Sequence, residues 1–347
     1  MRSTPGICSL QHYGSTNGQI LGWDGTSMDP ERVQLLKSAV RCRFNDLRRG
    51  EAVADPIKVF VKPEPHSVKK LAEGRYRIIS AVSLVDTMVD RILFGWMARK
   101  ALSTVGMTPC MLGWSPLRGA WRDLKRFYAG SPVICTDKSG FDWSVQGYMV
   151  DLWLRFVKDL AKCHEQWWSD MVDLRFRLLF EDAVFQFPDG SQAKQQTKGI
   201  MKSGCFLTLI LNSVAQSLAH YIAMYRMGYH TTLRQPHAMG DDTVQKPPPE
   251  LEKYLEILTS LGFQIKGGKV QDWIEFCGFS YYSTCTPSYW DKHLFNLQYG
   301  DLRSKLGSYQ VLYANEPEMF RFLERVAVQV DPGLALSEGI AKSIMNG

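Results

Sequence analysis

The sequence predicts an α+β fold, and three observations carry the prediction. Helical and strand-like segments interleave irregularly, without the repeated βαβ order of a parallel sheet. Two of the helical segments, "ERVQLLKSAVRCRFNDLRR" (31–49) and "LVDTMVDRILFGWMARKAL" (84–102), are long. The strand-like runs are short and bounded by turn residues. With 347 residues the chain can bury a substantial core, as one large domain or as subdomains around a cleft.

The elements follow in order. The first 30 residues, rich in Gly, Ser and Pro, read as loops ahead of the helix at 31–49. "IKVFVK" (57–62) and "RYRIISAV" (75–82) read as strands around a basic connector, followed by the helix at 84–102. "PVICTDKSGFDWSV" (132–145) reads as a strand that turns. A helix from about 147 to 162 presents Met149, Val150, Leu152, Trp153, Phe156, Val157 and Leu160 to the core, and a second helix spans about 165–180. "AVFQFPDGSQAKQQ" (183–196) is a hairpin turning at Pro-Asp-Gly, and the loop "KGIMKSG" follows it. Beyond lie a hairpin at 235–245, a helix at 250–262, short strands through 274–283 and a mostly helical tail after about 300.

The segment "CFLTLILNSVAQSLAHYIAMY" (205–225) is long enough to span a membrane. Thr208, Asn212, Gln216 and His220 recur in it every four positions, however, and draw a polar stripe along one helical face. It is therefore read as a helix buried on most sides with one face turned to something polar. The start "MRSTPGICSLQHYG" lacks an apolar run, so no signal peptide is expected in it.

Hydrophobic residues make up 45% and charged residues 22%, ordinary values for a soluble globular protein. The net charge of +6 hints at a polyanionic partner and decides nothing by itself. The charge is uneven: Lys58, Lys62, Lys69, Lys70, Arg75 and Arg77 face only Glu64 and Glu73 within 58–80. Such a run is either a solvated face or a phosphate contact. The eight cysteines contain no CxxC pair and read as reduced thiols, several of them buried as at Cys135 and Cys205. Cys277, Cys285 and His293 lack a fourth ligand at a spacing suited to zinc.

Acidic residues carry the chemistry. "MGDD" places Asp241 and Asp242 behind a glycine at a hairpin tip, where the alternative to a metal site is an Asx-type turn. In "TDKSGFDW", Asp137 ends an apolar strand and Asp142 follows five residues later. One can reach a metal while the other points aside toward a bound sugar, the alternative for the pair being a loop and a helix N-cap. Asp137 and Asp241 on neighbouring strands would bring their carboxylates close enough to share a pair of cations, which clamp the attacking and leaving oxygens of a phosphoryl displacement. Unpaired carboxylates would be costly there without the ions. In "KSGCFLTLILN", Ser203 and Gly204 form a flexible turn, and Thr208 and Asn212 lie one helical turn apart; Asn212 has both a donor and an acceptor for a ribose hydroxyl.

The order of these segments resembles viral RNA-dependent RNA polymerases of the sobemovirus and polerovirus-like group. "FVKPEPHSVKKLAEGRYRIISAVSLVD" is similar to the basic fingers motif, "TDKSGFDWSV" to the first catalytic motif, "KGIMKSGCFLTLILNS" to the second and "MGDD" to the third. "LGFQIKGGK" and "EFCGFSYYS" are similar to the two motifs that follow, and "STPGIC" weakly to the template-guiding motif. The resemblance covers residues 3–283 or thereabouts.

The resemblance implies a right-hand fold with palm, fingers and thumb, an antiparallel palm sheet packed on helices. Fingers would take 1–130, the palm 131–283 with a fingers insertion at about 165–200, and a short thumb 284–347. It implies RNA-templated RNA synthesis for viral genome replication and transcription, by two-metal nucleotidyl transfer with pyrophosphate release. Asp137, Asp241 and Asp242 would hold Mg²⁺, with Mn²⁺ as a substitute. Asp142 and Asn212 would check the ribose, Ser203 and Gly204 would belong to a mobile loop following the template and nascent pair, and Thr208 would join the substrate-binding set. Lys62 and Arg77 would face the triphosphate, with Arg75, Lys69 and Lys70 nearby along its entry path. Lys269, in preference to Lys266, would protonate the leaving pyrophosphate.

Implied partners are template and nascent RNA, NTPs, and a viral protein primer or other replication proteins. The implied location is the cytoplasm of an infected host cell, in a membrane-associated replication complex, without integral membrane insertion. A reverse transcriptase is disfavoured by Gly240 and by the Asp142/Asn212 sugar check. A non-catalytic RNA-binding scaffold would not need all three acids. The start near the template-guiding motif suggests a compact polymerase or a segment of a longer product.

Overall fold

The computed structural model describes residues 2–163, 165–230 and 234–347. Its strands, in chain order, are β1 Ile57–Val61, β2 Ile78–Ala81, β3 Val133–Lys138, β4 Val184–Gln186, β5 Gln192–Lys194, β6 His237–Met239, β7 Asp242–Gln245, β8 Ile265–Gln271, β9 Ile274–Phe276, β10 Phe279–Tyr281 and β11 Cys285–Pro287. The chain forms two compact units, each assembled from separate stretches.

The first unit comprises Met1–Thr104, Ser139–Ala215 and Ser260–Gln264. Its sheet has the order β2-β1-β4-β5, with β1 parallel to β4 and the other neighbours antiparallel. Ile57, Val59, Ala183 and Phe185 form a small core on it. The helix Leu84–Ser103 packs on Pro30–Arg48, which also meets Gln166–Phe180. Two of these helices are joined by a buried fork: Arg175 Nε and Nη2 donate to Asp90 Oδ1 and Oδ2 at 2.6 and 3.2 Å. Both side chains are essentially without exposed surface.

The second unit comprises Val105–Lys138, Gln216–Thr259 and Ile265–Gly347. An antiparallel sheet of order β6-β7-β3-β8 lies with a three-stranded meander, β11-β10-β9. Val133, Val244, Phe276, Trp121 and Phe320 belong to the core cluster beneath them. Burying each aliphatic side chain of this kind contributes about 1.5–3 kcal/mol. The helices Trp290–Tyr299, Leu302–Leu312 and Pro317–Val330 pack around a second cluster centred on Leu306, Leu323 and Ala327.

Most elements fall where the apolar patterning puts them, and the departures have local causes. The opening loops contain a short helix, Asn17–Ile20, because Thr16 and Gln19 close a reciprocal capping box. The basic connector holds another, Val68–Ala72, capped by the Ser67 hydroxyl. In the helix Gly147–Ala161, Met149, Val150, Trp153 and Val157 are buried. Leu160, expected on that core face, is exposed in the last turn. The polar stripe faces inward: Asn212, Gln216 and His220 are all buried. No helix among the described residues is long and apolar enough to cross a membrane. All eight cysteines are free thiols, Cys205 buried and Cys135 only half-buried.

Candidate functional site

The strand β3 is an apolar, β-branched run whose two-residue period sends Thr136 and Lys138 to the buried face and leaves Asp137 exposed. Its register against β7 pairs Ile134 with Gln245, Cys135 with Val244 and Thr136 with Thr243. One step further, Asp137 lies across from Asp242. The hydroxyls of Thr136 and Thr243 meet at 2.6 Å just below the acids.

Between Met239 and Asp242, which are themselves partners, only Gly240 and Asp241 make the turn. Gly240 has φ +68°, left-handed backbone that a residue without Cβ adopts freely. The hairpin is also held from outside. Met111 N–H donates to the Ala238 carbonyl at 2.8 Å, Ala238 N–H donates to the Pro109 carbonyl at 2.9 Å, and the Tyr128 hydroxyl donates to the Val244 carbonyl at 2.8 Å. Three carboxylates from segments a hundred residues apart therefore gather at one end of one sheet.

Their electrostatics show the crowding. Burial, and then the charges of Asp241 and Asp137, push the Asp242 carboxyl up to about 6. Lys138 is pulled down to about 8 by burial, against the opposing pull of Asp241, Asp137 and Asp242. Lys266 pairs with Asp137 across β3–β8, its Nζ 3.9 Å from Oδ2. A cavity of about 290 Å³ beside the acids is lined by Asp137, Asp242, Lys266, Glu275, Cys277 and Tyr289 among others. Burial and the nearby Asp242 push the Cys277 thiol well above its ordinary value, so it stays protonated.

This donor set fits a hard divalent cation. The ligands on offer are carboxylate oxygens, the neutral thiol is no competitor, and like charges crowded together are relieved by positive charge. Among the described residues no three His, Cys, Asp or Glu side chains already close into a cage. Magnesium sites of the nucleotide-handling kind take much of their coordination from water and substrate phosphates. The Cys277, Cys285 and His293 set forms no such group either, and His293 Nδ1 instead meets the Tyr313 hydroxyl at 2.8 Å.

In the first unit, Asp142 and Asn212 touch. Asp142 sits in the short helix Phe141–Ser144, and its Oδ1 accepts from Asn212 Nδ2 at 2.8 Å. The turn at Ser203 and Gly204, expected to be flexible, is tied to Ser80 of β2. Ser80 and Ser203 exchange N–H···Oγ bonds at 3.0 Å, and Gly204 N–H donates to the Ser80 carbonyl at 3.0 Å. A Cβ on Gly204 would lie 2.9 Å from Ala81 Cα, so close backbone approach is what the glycine serves. Thr208 Oγ1 donates to the Lys202 carbonyl at 2.7 Å.

The basic segment carries its own counter-charges. Glu64, largely buried, pairs with Lys62 at 2.9 Å and Arg77 at 2.8 Å, while Arg75 pairs with Glu73. Lys69 and Lys70 lie exposed in the helix Val68–Ala72. Lys269 is exposed at a β-bulge where the register of β8 on β3 shifts between Ile134 and Thr136, next to Gly267 and Gly268 with φ of +76° and +89°.

Two residues at these places were not singled out from sequence, Lys138 and Lys202, and Glu64 was counted in the basic run without its partners. Strand alternation alone would have put Lys138 on the face opposite Asp137. No local pattern marks Glu64 or Lys202, whose partners come from folding.

The family model described as viral RNA-dependent RNA polymerase matches residues 22–288. The replicase polyprotein P2AB of Southern bean mosaic virus is 35% identical over 70% of this chain and 25% of its own length. Protein P1-P2 of Potato leafroll virus is 29% identical over 79% of this chain and 26% of its own. The RNA-directed RNA polymerase of Mushroom bacilliform virus is 33% identical over 68% and 61%. The chain thus spans about a quarter of the first two relatives. Among solved structures, a Sicinivirus 3Dpol RNA-dependent RNA polymerase superposes with a TM-score of 0.74 at 17% identity, covering 99% of this chain and 76% of that one.

Proposed function

The chain belongs to the viral RNA-dependent RNA polymerases of the sobemovirus and polerovirus-like group and has their α+β fold, and from that footing we propose that it synthesises RNA on an RNA template. The reaction joins the growing strand's 3′ hydroxyl to the α-phosphate of an NTP and releases pyrophosphate, in viral genome replication and transcription. The observation that carries this reading is the convergence of Asp137, Asp241 and Asp242 at one strand end, Asp137 across from Asp242.

The family's chemistry implies a divalent cation, here Mg²⁺ with Mn²⁺ as a substitute, held by Asp137, Asp241 and Asp242. When bound, such ions supply the charge that activates the hydroxyl and steadies the triphosphate. The chain's own residues supply the rest. Lys62, Arg75 and Arg77 exchange their glutamate partners for phosphate oxygens, for which a guanidinium fork is suited. Asp142 and Asn212 meet the ribose hydroxyls, already sharing one hydrogen bond. Ser203, Gly204 and Thr208 form the support beneath the template and nascent pair. Lys269 donates a proton to the departing pyrophosphate, while Lys266 balances Asp137.

In this reading 1–130 forms the fingers, 131–283 the palm with a fingers insertion at about 165–200, and 284–347 the thumb. Its partners are template RNA, nascent RNA and NTPs, with a viral protein primer or other replication proteins, in a membrane-associated complex in the host cytoplasm. The test is RNA synthesis from a homopolymer template by purified protein with Mg²⁺, Mn²⁺ or chelator. Product should form with either ion and vanish with chelator. Asp137→Ala and Asp241→Ala should each abolish incorporation while RNA affinity stays nearly intact; retention of more than a few per cent by either removes it from the ligand set.

A further inference from the structure

Outside the acidic cluster, the most anomalous buried group is Lys202. Its side chain has no exposed surface, a state lysine almost never adopts without a charged partner. Its contacts are to neutral groups instead. Nζ donates to Gln195 Oε1 and to the Ile200 carbonyl at 2.8 Å, and the Gly199 carbonyl lies at 3.5 Å. Its Nζ also stands over the rings of Phe180 and Phe185, 5.5 and 5.4 Å from their centroids, and burial pulls the amine down to about 7.

Gln195 completes a closed polar knot. Its Nε2 donates to the carbonyls of Phe180 and Thr197 at 2.7 Å and of Gly199 at 3.1 Å. The outer edge of the same loop lies along the segment that bears Asp142. Ile200 N–H donates to the Val145 carbonyl at 2.9 Å, and Met201 N–H donates to the Asp142 carbonyl at 2.8 Å. Gly199 runs so close that a Cβ would fall 2.4 Å from the Val145 carbonyl oxygen.

Ile200 is held at φ +52°, a conformation that is a genuine outlier for a β-branched residue. Strain of this size persists only where the surroundings over-determine it, and the lysine and glutamine are those surroundings. At the other end of the loop, Thr208 Oγ1 donates to the Lys202 carbonyl, four residues before Asn212 on the same helix. Lys202 therefore sits where the backbone of Asp142 and the helix of Asn212 are tied together.

An apolar side chain of similar length would fill the space between the two rings without desolvating a charge. What the lysine adds is a directional tie to the carbonyls of 199 and 200. We infer that Lys202 is a positioning residue for sugar selection, clamping the strained 199–202 loop so that the Asp142 and Asn212 side chains keep the spacing a ribose requires. The inference rests on the proposed role of Asp142 and Asn212 in checking the ribose.

The experiment compares kcat/KM for an NTP and its matching dNTP on an RNA template. It uses wild type, Lys202→Met, Gln195→Leu, their double variant and Asn212→Ala, with urea unfolding as a check of folding. Lys202→Met should lower the ribo/deoxy ratio about tenfold. Gln195→Leu should do the same, and the double variant should fall no further, because both break one clamp. A folded Lys202→Met with an unchanged ratio, while Asn212→Ala lowers it, overturns the inference and leaves the sugar check standing; a lowered urea midpoint with an unchanged ratio makes Lys202 a structural anchor only. If Lys202→Met does not fold, Gln195→Leu decides by the same criterion. An unchanged ratio in Asn212→Ala as well overturns the sugar check, and the inference with it.

Discussion

Acidification should unlock the second unit through His220. This imidazole is buried on the polar stripe of the helix Thr208–Arg226, with Nδ1 3.0 Å from the Tyr254 hydroxyl. That hydroxyl donates to Gln245 Oε1 at 3.3 Å, so the tautomer with hydrogen on Nδ1 completes the chain. His220 Nε2 is then a buried atom without a hydrogen-bond partner. A proton added there gains nothing and loses water, and burial accordingly pulls the group from 6.5 down to about 4. The folded value is depressed, so the unfolded chain takes the proton first. The stability contribution is complete above pH 6.5 and is lost as the pH falls from 6.5 toward 4. A shift of about 2.5 pH units at about 1.36 kcal/mol each gives a loss of about 3 kcal/mol by pH 4. Urea unfolding of wild type and His220→Gln between pH 7.5 and 4 isolates the term, since other titrating groups are common to both. The variant should start less stable and show a slope shallower by about 3 kcal/mol across that range. Parallel slopes would refute the argument.

Further outcomes follow from other contacts. Arg175→Met strands Asp90 in the core of the first unit and should cost about 3–5 kcal/mol in urea unfolding, most of it recovered by adding Asp90→Leu. Gly204→Ala drives a methyl group against Ala81 Cα and the Ser80 carbonyl and should destabilise by about 1–3 kcal/mol, measured the same way. Lys269→Ala should lower kcat at least about a hundredfold with KM little changed, as loss of a general acid does. Lys266→Ala should instead shift the divalent-ion concentration needed for half-maximal activity, because it removes a cation beside Asp137.

The sequence made the strands that carry the three acids legible because strand chemistry is local. The run Val133–Thr136 is a short apolar, β-branched stretch, Gly240 permits a two-residue turn, and the acids sit where those elements end. The polar stripe of Thr208–Arg226 was equally visible, although its inward orientation was not: what Asn212 and His220 face is set by Asp142 and Tyr254, which lie far away in the chain. Capping hid the short helices Asn17–Ile20 and Val68–Ala72, where a Thr or Ser inside a Gly/Pro-rich or basic stretch suggested loop. The tie of Ser203 and Gly204 to β2 was illegible for another reason. A glycine beside a serine reads as freedom, while here it marks a close backbone approach to β2. Glu64 shows the same limit for charge, since a residue-by-residue count includes this acid without showing that it pairs with two cations of the run at once.

The central claim is that Asp137 and Asp241, a hundred positions apart, hold one divalent-ion cluster. Direct titration of Mn²⁺ into the purified protein with a bound NTP, read by the loss of free-ion paramagnetic resonance signal, tests it without turnover. Wild type and Asp142→Ala should bind the ion alike, and Asp137→Ala and Asp241→Ala should each lose most of that binding. Undiminished Mn²⁺ binding by either of the last two variants would contradict the account.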